Sequence, residues 1–182
     1  MSGEETTLAI LSIRRFGDPV LRERATPVER FDDALTRLSE DMFETMYDAP
    51  GVGLAAPQIG LSIRLFVFDE GEEGERGAVA NPVLSEMAGD AEEDEGCLSV
   101  PGLYYPTRRS ARVRLDGQDL SGRPITLVGE DLLARIFQHE TDHLNGLLYL
   151  DRLGDADRRR ALAEMREREL SGDRDRRSLR RG

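Results

Sequence analysis

The chain has 182 residues, 38% of them hydrophobic and 34% charged, which fits a single domain able to bury roughly 70% of its unfolded-state surface. Its 36 acidic residues outweigh 25 basic ones, all of them Arg, and the net charge of -11 argues against DNA as a main partner, because phosphate binding needs concentrated positive charge. A single cysteine, Cys97, excludes an intramolecular disulfide; with acids where a signal peptide would be basic and no apolar run near ~20 residues, the chain reads as cytoplasmic and without a membrane partner.

Along residues 31–46, Phe31, Leu35, Leu38, Met42 and Met46 recur three or four apart, the stripe of an amphipathic helix ending at Pro50-Gly51. The segment Gly51-Val52-Gly53-Leu54-Ala55-Ala56-Pro57-Gln58-Ile59-Gly60 is predicted to be a loop, punctuated by glycines and a proline, though unusually apolar for a surface connection. Residues 63–68 read as a buried strand and 78–84 as a short one, while the acidic, glycine-containing segments 70–75 and 89–95 read as solvated loops. Polar and apolar residues alternate over 112–116, and 124–128 follows across a turn, which predicts an antiparallel hairpin.

A helix is expected over 130–145, stopped by Gly146, and a last one from a cap at Asp155 to about Leu170, stopped by Gly172. That divides the chain into one domain, 1–172, and an Arg-rich tail, 173–182, of a composition that usually stays disordered. Strands preceding a central helix predict an α+β fold, with antiparallel β-sheets packed around that helix and a C-terminal helix outside.

Chemistry concentrates in His139-Glu140-Thr141-Asp142-His143. Four residues of helix advance about 400°, so both imidazoles share a face and can hold one metal ion, with Glu140 between them to take a proton from a bound water. They are the only two histidines in the chain, and Leu132, Leu133, Ile136, Phe137 and Leu144 make their helix too apolar for a surface element. Cys97, bracketed by glycine and proline in Glu95-Gly96-Cys97-Leu98-Ser99-Val100-Pro101-Gly102, is the candidate third ligand. Three ligands leave an open position, which favours catalysis over a structural zinc site closed by four.

The Gly51 to Gly60 segment, Glu95-Gly96-Cys97-Leu98-Ser99 and Gln138-His139-Glu140-Thr141-Asp142-His143-Leu144-Asn145-Gly146 together resemble, in order and separation, the three signature motifs of peptide deformylases. The likeness runs from about Leu11 to Leu150. It implies a hydrolase that removes the formyl group from N-formylmethionyl nascent peptides and releases formate. Cys97, His139 and His143 would be the metal ligands, Glu140 the general base and acid, and Gln58 with the Leu98 backbone N–H the oxyanion donors. Gly53 would offer its backbone to substrate. The resemblance implies Fe2+ as native metal, with Zn2+, Ni2+ or Co2+ as substitutes.

An apolar pocket for methionine is assigned to Val52, Leu54, Ile136 and Phe137, with His139 as a wall. Glu95 and Asp142 are read as carboxylates that orient a ligand or pair with an arginine such as Arg108 or Arg109. Where many relatives carry a basic residue several positions after the cysteine, this chain has Leu103-Tyr104-Tyr105, which separates its contacts to the peptide beyond methionine from the family's. Two rival readings remain. A zinc peptidase cutting internal bonds shares the His-Glu-x-x-His chemistry but leaves Cys97 and the Gly51 to Gly60 segment unused. A non-catalytic factor would use the metal for folding and touch the ribosome through Arg174, Arg176, Arg177, Arg180 and Arg181.

Overall fold

The first helix begins where Asp32 supplies the acceptor its open end needs: the carboxylate accepts from the N–H groups of Ala34 (3.1 Å) and Leu35 (3.2 Å). The helix α1 (Asp33–Asp48) then buries Leu35, Met42 and Met46, as the spacing predicts, together with Phe43. The computed structural model describes residues 8–178, with side chains placed up to residue 171.

The segment 51–60, expected to be a loop, is instead the strand β1 (Gly53–Ala55) followed by a 3-10 turn (Ala56–Ile59). β1 pairs antiparallel with β2 (Leu65–Asp69), Leu54 opposite Val67. Three residues are too few to display a period, and all three are buried, which accounts for the segment's apolar character. β2 continues into pairing with β3 (Arg76–Ala88), longer than the 78–84 strand expected.

The acidic segment 89–95 is also corrected. Most of it belongs to β4 (Ala91–Cys97), which forms a two-stranded sheet with β5 (Val100–Arg109). Glu92 lies opposite Arg108, while Glu93, Asp94 and Glu95 lie opposite Thr107, Pro106 and Tyr105, so the acidic segment is held as a strand by its ladder to β5. The hairpin expected over 112–128 is present as β6 (Arg112–Gln118) and β7 (Pro124–Glu130), and the larger sheet has the order β1-β2-β3-β6-β7, antiparallel throughout.

Period two along β2 sends its side chains to two cores. Leu65 and Val67 join Met42, Met46 and Leu54 under α1. Phe66 and Phe68 join Val113, Leu115 and Phe137 under the helix α2 (Asp131–Leu144), where the Phe68 and Phe137 rings meet edge to face with centroids 5.2 Å apart. α2 stops where the sequence predicts. Gly146 has φ of 75°, and a Cβ there would lie 2.6 Å from the Arg22 carbonyl oxygen, so the turn admits only glycine.

The last helix, α3 (Asp155–Ser178), has Asp155 as its first residue rather than its cap and runs through Gly172. A glycine inside a helix costs only about 1 kcal/mol and is a stop signal only where the chain also turns. The expected tail, 173–182, therefore falls partly on helix and partly on residues 179–182, which lie outside the described residues. α3 is tied to β5 by the Tyr105 hydroxyl, which donates to Glu164 (2.8 Å), and by Ala161 packed among Val100, Leu103 and Tyr149. The α+β expectation holds. Among the described residues no helix is long and apolar enough to cross a membrane.

Candidate metal centre and its cleft

Helical periodicity puts His139 and His143 on one face of α2, their Nε2 atoms 3.1 Å apart. Cys97 reaches the same point from the end of β4, beside the two-residue turn Leu98-Ser99 that leads into β5, and its Sγ lies 3.4 Å from His143 Nε2. The three donor atoms lie within 4.8 Å of one another. Metal bonds of about 2.0–2.3 Å in a tetrahedral set need donor separations of this size.

Protonation also fits a cation at this point. Two Nε2 atoms this close cannot both carry a proton. Burial disfavours charge on either ring, yet hydrogen bonds to Cys97 and Glu95 hold His139 well above the usual histidine range, while burial and the charge on His139 push His143 well below it. Glu95 accepts from His139 Nδ1 at 2.5 Å, which leaves His139 Nε2 free to ligate. His143 turns its Nε2 to these donors, while its Nδ1 is buried without a partner.

Glu95 and Asp142 both hold the site from behind. Burial would raise the Glu95 pKa, but hydrogen bonds from His139 and Arg109 overturn that and hold it well below the carboxylate range. Arg109, not the exposed Arg108, is the partner: it donates to Glu95 Oε1 (2.6 Å) and Oε2 (3.1 Å) and to Asp142 Oδ2 (2.6 Å). Arg152 closes the far side of Asp142 (2.5 and 3.0 Å), and Arg135 adds a second arginine to Glu95 at 2.8 Å. Sequence reasoning missed Arg135 and Arg152. Arg135 lies four residues before His139, a spacing that marks it as a neighbour on the same face; nothing local marks Arg152.

Glu140 is buried with its Oε2 unpartnered, and desolvation pushes its pKa up to about 7. A carboxylate so held can take and return a proton near neutral pH. A Cβ at Gly53 would collide with Glu140, so only glycine lets β1 pass beside this carboxylate. Gln58 is fixed by accepting from Ala55 N–H (2.9 Å), and its Nε2 donates to Ser99 Oγ (3.2 Å) and faces Cys97 Sγ (3.6 Å). Ser99 is a further partner that sequence reasoning missed, although it stands only two residues after Cys97.

These groups open on a cleft of about 520 Å³ lined by Val52, Gly53, Gln58, Cys97, Leu98 and Ile136, with His139 and Glu140 at its floor. Tyr104 and Arg15 also line it. Two of the residues assigned to the methionine pocket are elsewhere. Leu54 alternates with its neighbours Val52–Gly53 into the core under α1, and Phe137 lies about 100° round α2 from Ile136, inside the aromatic core.

A family model for polypeptide deformylase matches residues 10–159. A peptide deformylase of Acidothermus cellulolyticus is 52% identical over 165 residues, 91% of each chain. Among solved structures, a peptide deformylase from Legionella pneumophila superposes with a TM-score of 0.84 at 45% identity, covering 91% of this chain and 99% of that one. The enzyme from Thermus thermophilus gives 0.84 at 48% identity over the same shares. Family model, relatives and fold agree across most of the sequence, and the chain belongs to the polypeptide deformylase family.

Proposed function

We propose that the chain hydrolyses the formyl group from N-formylmethionyl nascent polypeptides in the cytoplasm, releasing formate, with one divalent metal ion held by Cys97, His139 and His143. The observation that carries this reading is Glu140: a buried carboxylate with one free oxygen and a pKa pushed up to about 7, next to a three-donor metal pocket at the floor of an open cleft. When bound by Cys97, His139 and His143, the ion would supply Lewis acidity and lower the pKa of water. Glu140 would accept the proton lost by water during attack on the formyl carbon and return it to the departing amine. Gln58 Nε2 and the Leu98 N–H donate to the oxygen on which charge develops, and loss of one such donor typically costs about 3–4 kcal/mol. Val52 and Ile136 are the apolar walls for the methionine side chain.

A thiolate in the donor set softens the site and admits several divalent ions; the family resemblance, not the donor set, points to Fe2+ as native ion, with Zn2+, Ni2+ or Co2+ as substitutes. The arginines after residue 172 would supply the positive charge for a transient ribosome contact. The test is formate release from formyl-Met-Ala-Ser by protein purified anaerobically with ferrous iron, beside Glu140→Ala. The variant is expected to bind one equivalent of metal and to lose about 10²–10⁴-fold in rate. Metal-loaded wild type that releases no formate would overturn the reading, and cleavage of an internal peptide bond would replace it with the peptidase.

A further inference from the structure

Beside the cleft of Glu140 lies a second one, of about 640 Å³, between α3 and the start of β5. Arg15 and Pro101 line both, so the two are joined across a single ridge. The floor of the second cleft is apolar, formed by Phe16, Val100, Leu103 and Met165, while its rim sets Arg15, Arg166 and Arg168 against one acid, Glu169. In a chain of net charge -11 this is a local reversal of sign. Arg168 Nη1 also donates to the Pro101 carbonyl at 3.4 Å, clamping α3 to the ridge.

We propose that this second cleft receives the part of the substrate chain that follows its first few residues, and favours a segment with apolar and acidic side chains. The inference rests on the deformylase reading and names a specificity determinant for it. A nascent polypeptide is longer than the first cleft and must leave it in some direction. Over the Arg15–Pro101 ridge it would meet the half-buried side chains of Phe16 and Met165 and the exposed side chains of Arg166 and Arg168. An extended chain alternates its side chains, so apolar residues can face Phe16 and Met165 while acids reach Arg166 and Arg168. These contacts lie far from the reacting carbon and are the same in ground and transition states, so they lower KM and leave kcat alone. RNA would use the cationic rim but gain nothing from the apolar floor.

The experiment measures kcat and KM with formyl-Met-Ala-Ser, with formyl-Met-Ala-Ser-Leu-Asp-Leu-Glu and with the same heptapeptide carrying Lys for both acids. The acidic heptapeptide is expected to have a KM about 5–10-fold below the tripeptide's at low salt, a gain that shrinks with added salt and that the lysine peptide lacks. Arg166→Glu together with Arg168→Glu should abolish the gain while tripeptide kcat/KM stays within about twofold. Arg166→Glu alone, which leaves the Arg168 clamp in place, should remove part of it. Equal KM values for the three peptides, a gain that survives the double variant, or a loss shared by tripeptide and heptapeptide would each overturn the proposal. So would competition by an RNA oligonucleotide without any length gain. If the tripeptide itself yields no formate, the deformylase reading fails and takes this one with it; formate release without a length gain removes this one alone.

Discussion

The two faces of α2 solve burial in opposite ways. Toward the sheet, Leu133, Ala134, Phe137 and Leu144 are covered by side chains that need only fit, and the stabilisation comes from apolar area and packing. Toward the cleft, Arg135, His139, Glu140, Asp142 and His143 are nearly as hidden, yet there each polar atom needs a specific partner. Most have one. The exceptions on α2 are Glu140 Oε2, Thr141 Oγ1 and His143 Nδ1, two of which belong to the proposed base and to a proposed ligand. A helix can therefore carry chemistry on one side because the other side anchors it without demanding any hydrogen bond.

Arg109→Met should break the comparison most severely. It leaves Glu95 and Asp142 without their shared cation, a loss of about 3–5 kcal/mol in stability, and it frees the carboxylate that orients His139, weakening metal binding about 10–100-fold. Phe137→Ala is expected to match the first effect, about 3–5 kcal/mol, with metal affinity and rate of the folded fraction unchanged. Urea unfolding combined with a metal titration separates the two; equal metal affinity in both variants would mean that the polar face acts only as structure.

If Gln58 is the oxyanion donor proposed above, Gln58→Leu should cost about 10²–10³ in kcat. Its loss in stability should be only about 1–3 kcal/mol, from the unsatisfied Ala55 N–H. A variant as fast as wild type would remove Gln58 from the machinery. The smallest effect concerns acid. Glu95 has a folded pKa below its ordinary value of 4.5, so its contribution to stability is complete above that pH and drains away as pH falls toward the folded value. Melting temperatures from pH 6 to 3 should therefore drop more steeply in wild type than in Glu95→Gln, and parallel curves would contradict the assignment.

How much was legible beforehand follows the range of the forces involved. The pairing of His139 with His143, the end of α2 at Gly146 and the β6–β7 hairpin depend on a few consecutive residues, so they could be read directly. β4 was missed because what makes its acidic stretch a strand is Arg108 and Thr107 across the ladder, residues that composition within the segment does not reveal. Leu54 was misassigned because an apolar residue in a catalytic motif has two sides it could face, and only the packing of α1 decides between them.

The sequence by itself determined the candidate ligands, the candidate base and the order of most strands and helices, since the spacing of backbone turns and the chemistry of three residue types are local properties. Tertiary structure alone decided which carboxylate holds His139, which arginines neutralise it, and that Arg15 and Pro101 join a second cleft to the first. Those outcomes depend on surfaces that meet only after the chain has folded. Burial strengthens each such contact and makes each unpaired charge costly, so the partners are selected by the completed packing rather than by their neighbours in sequence.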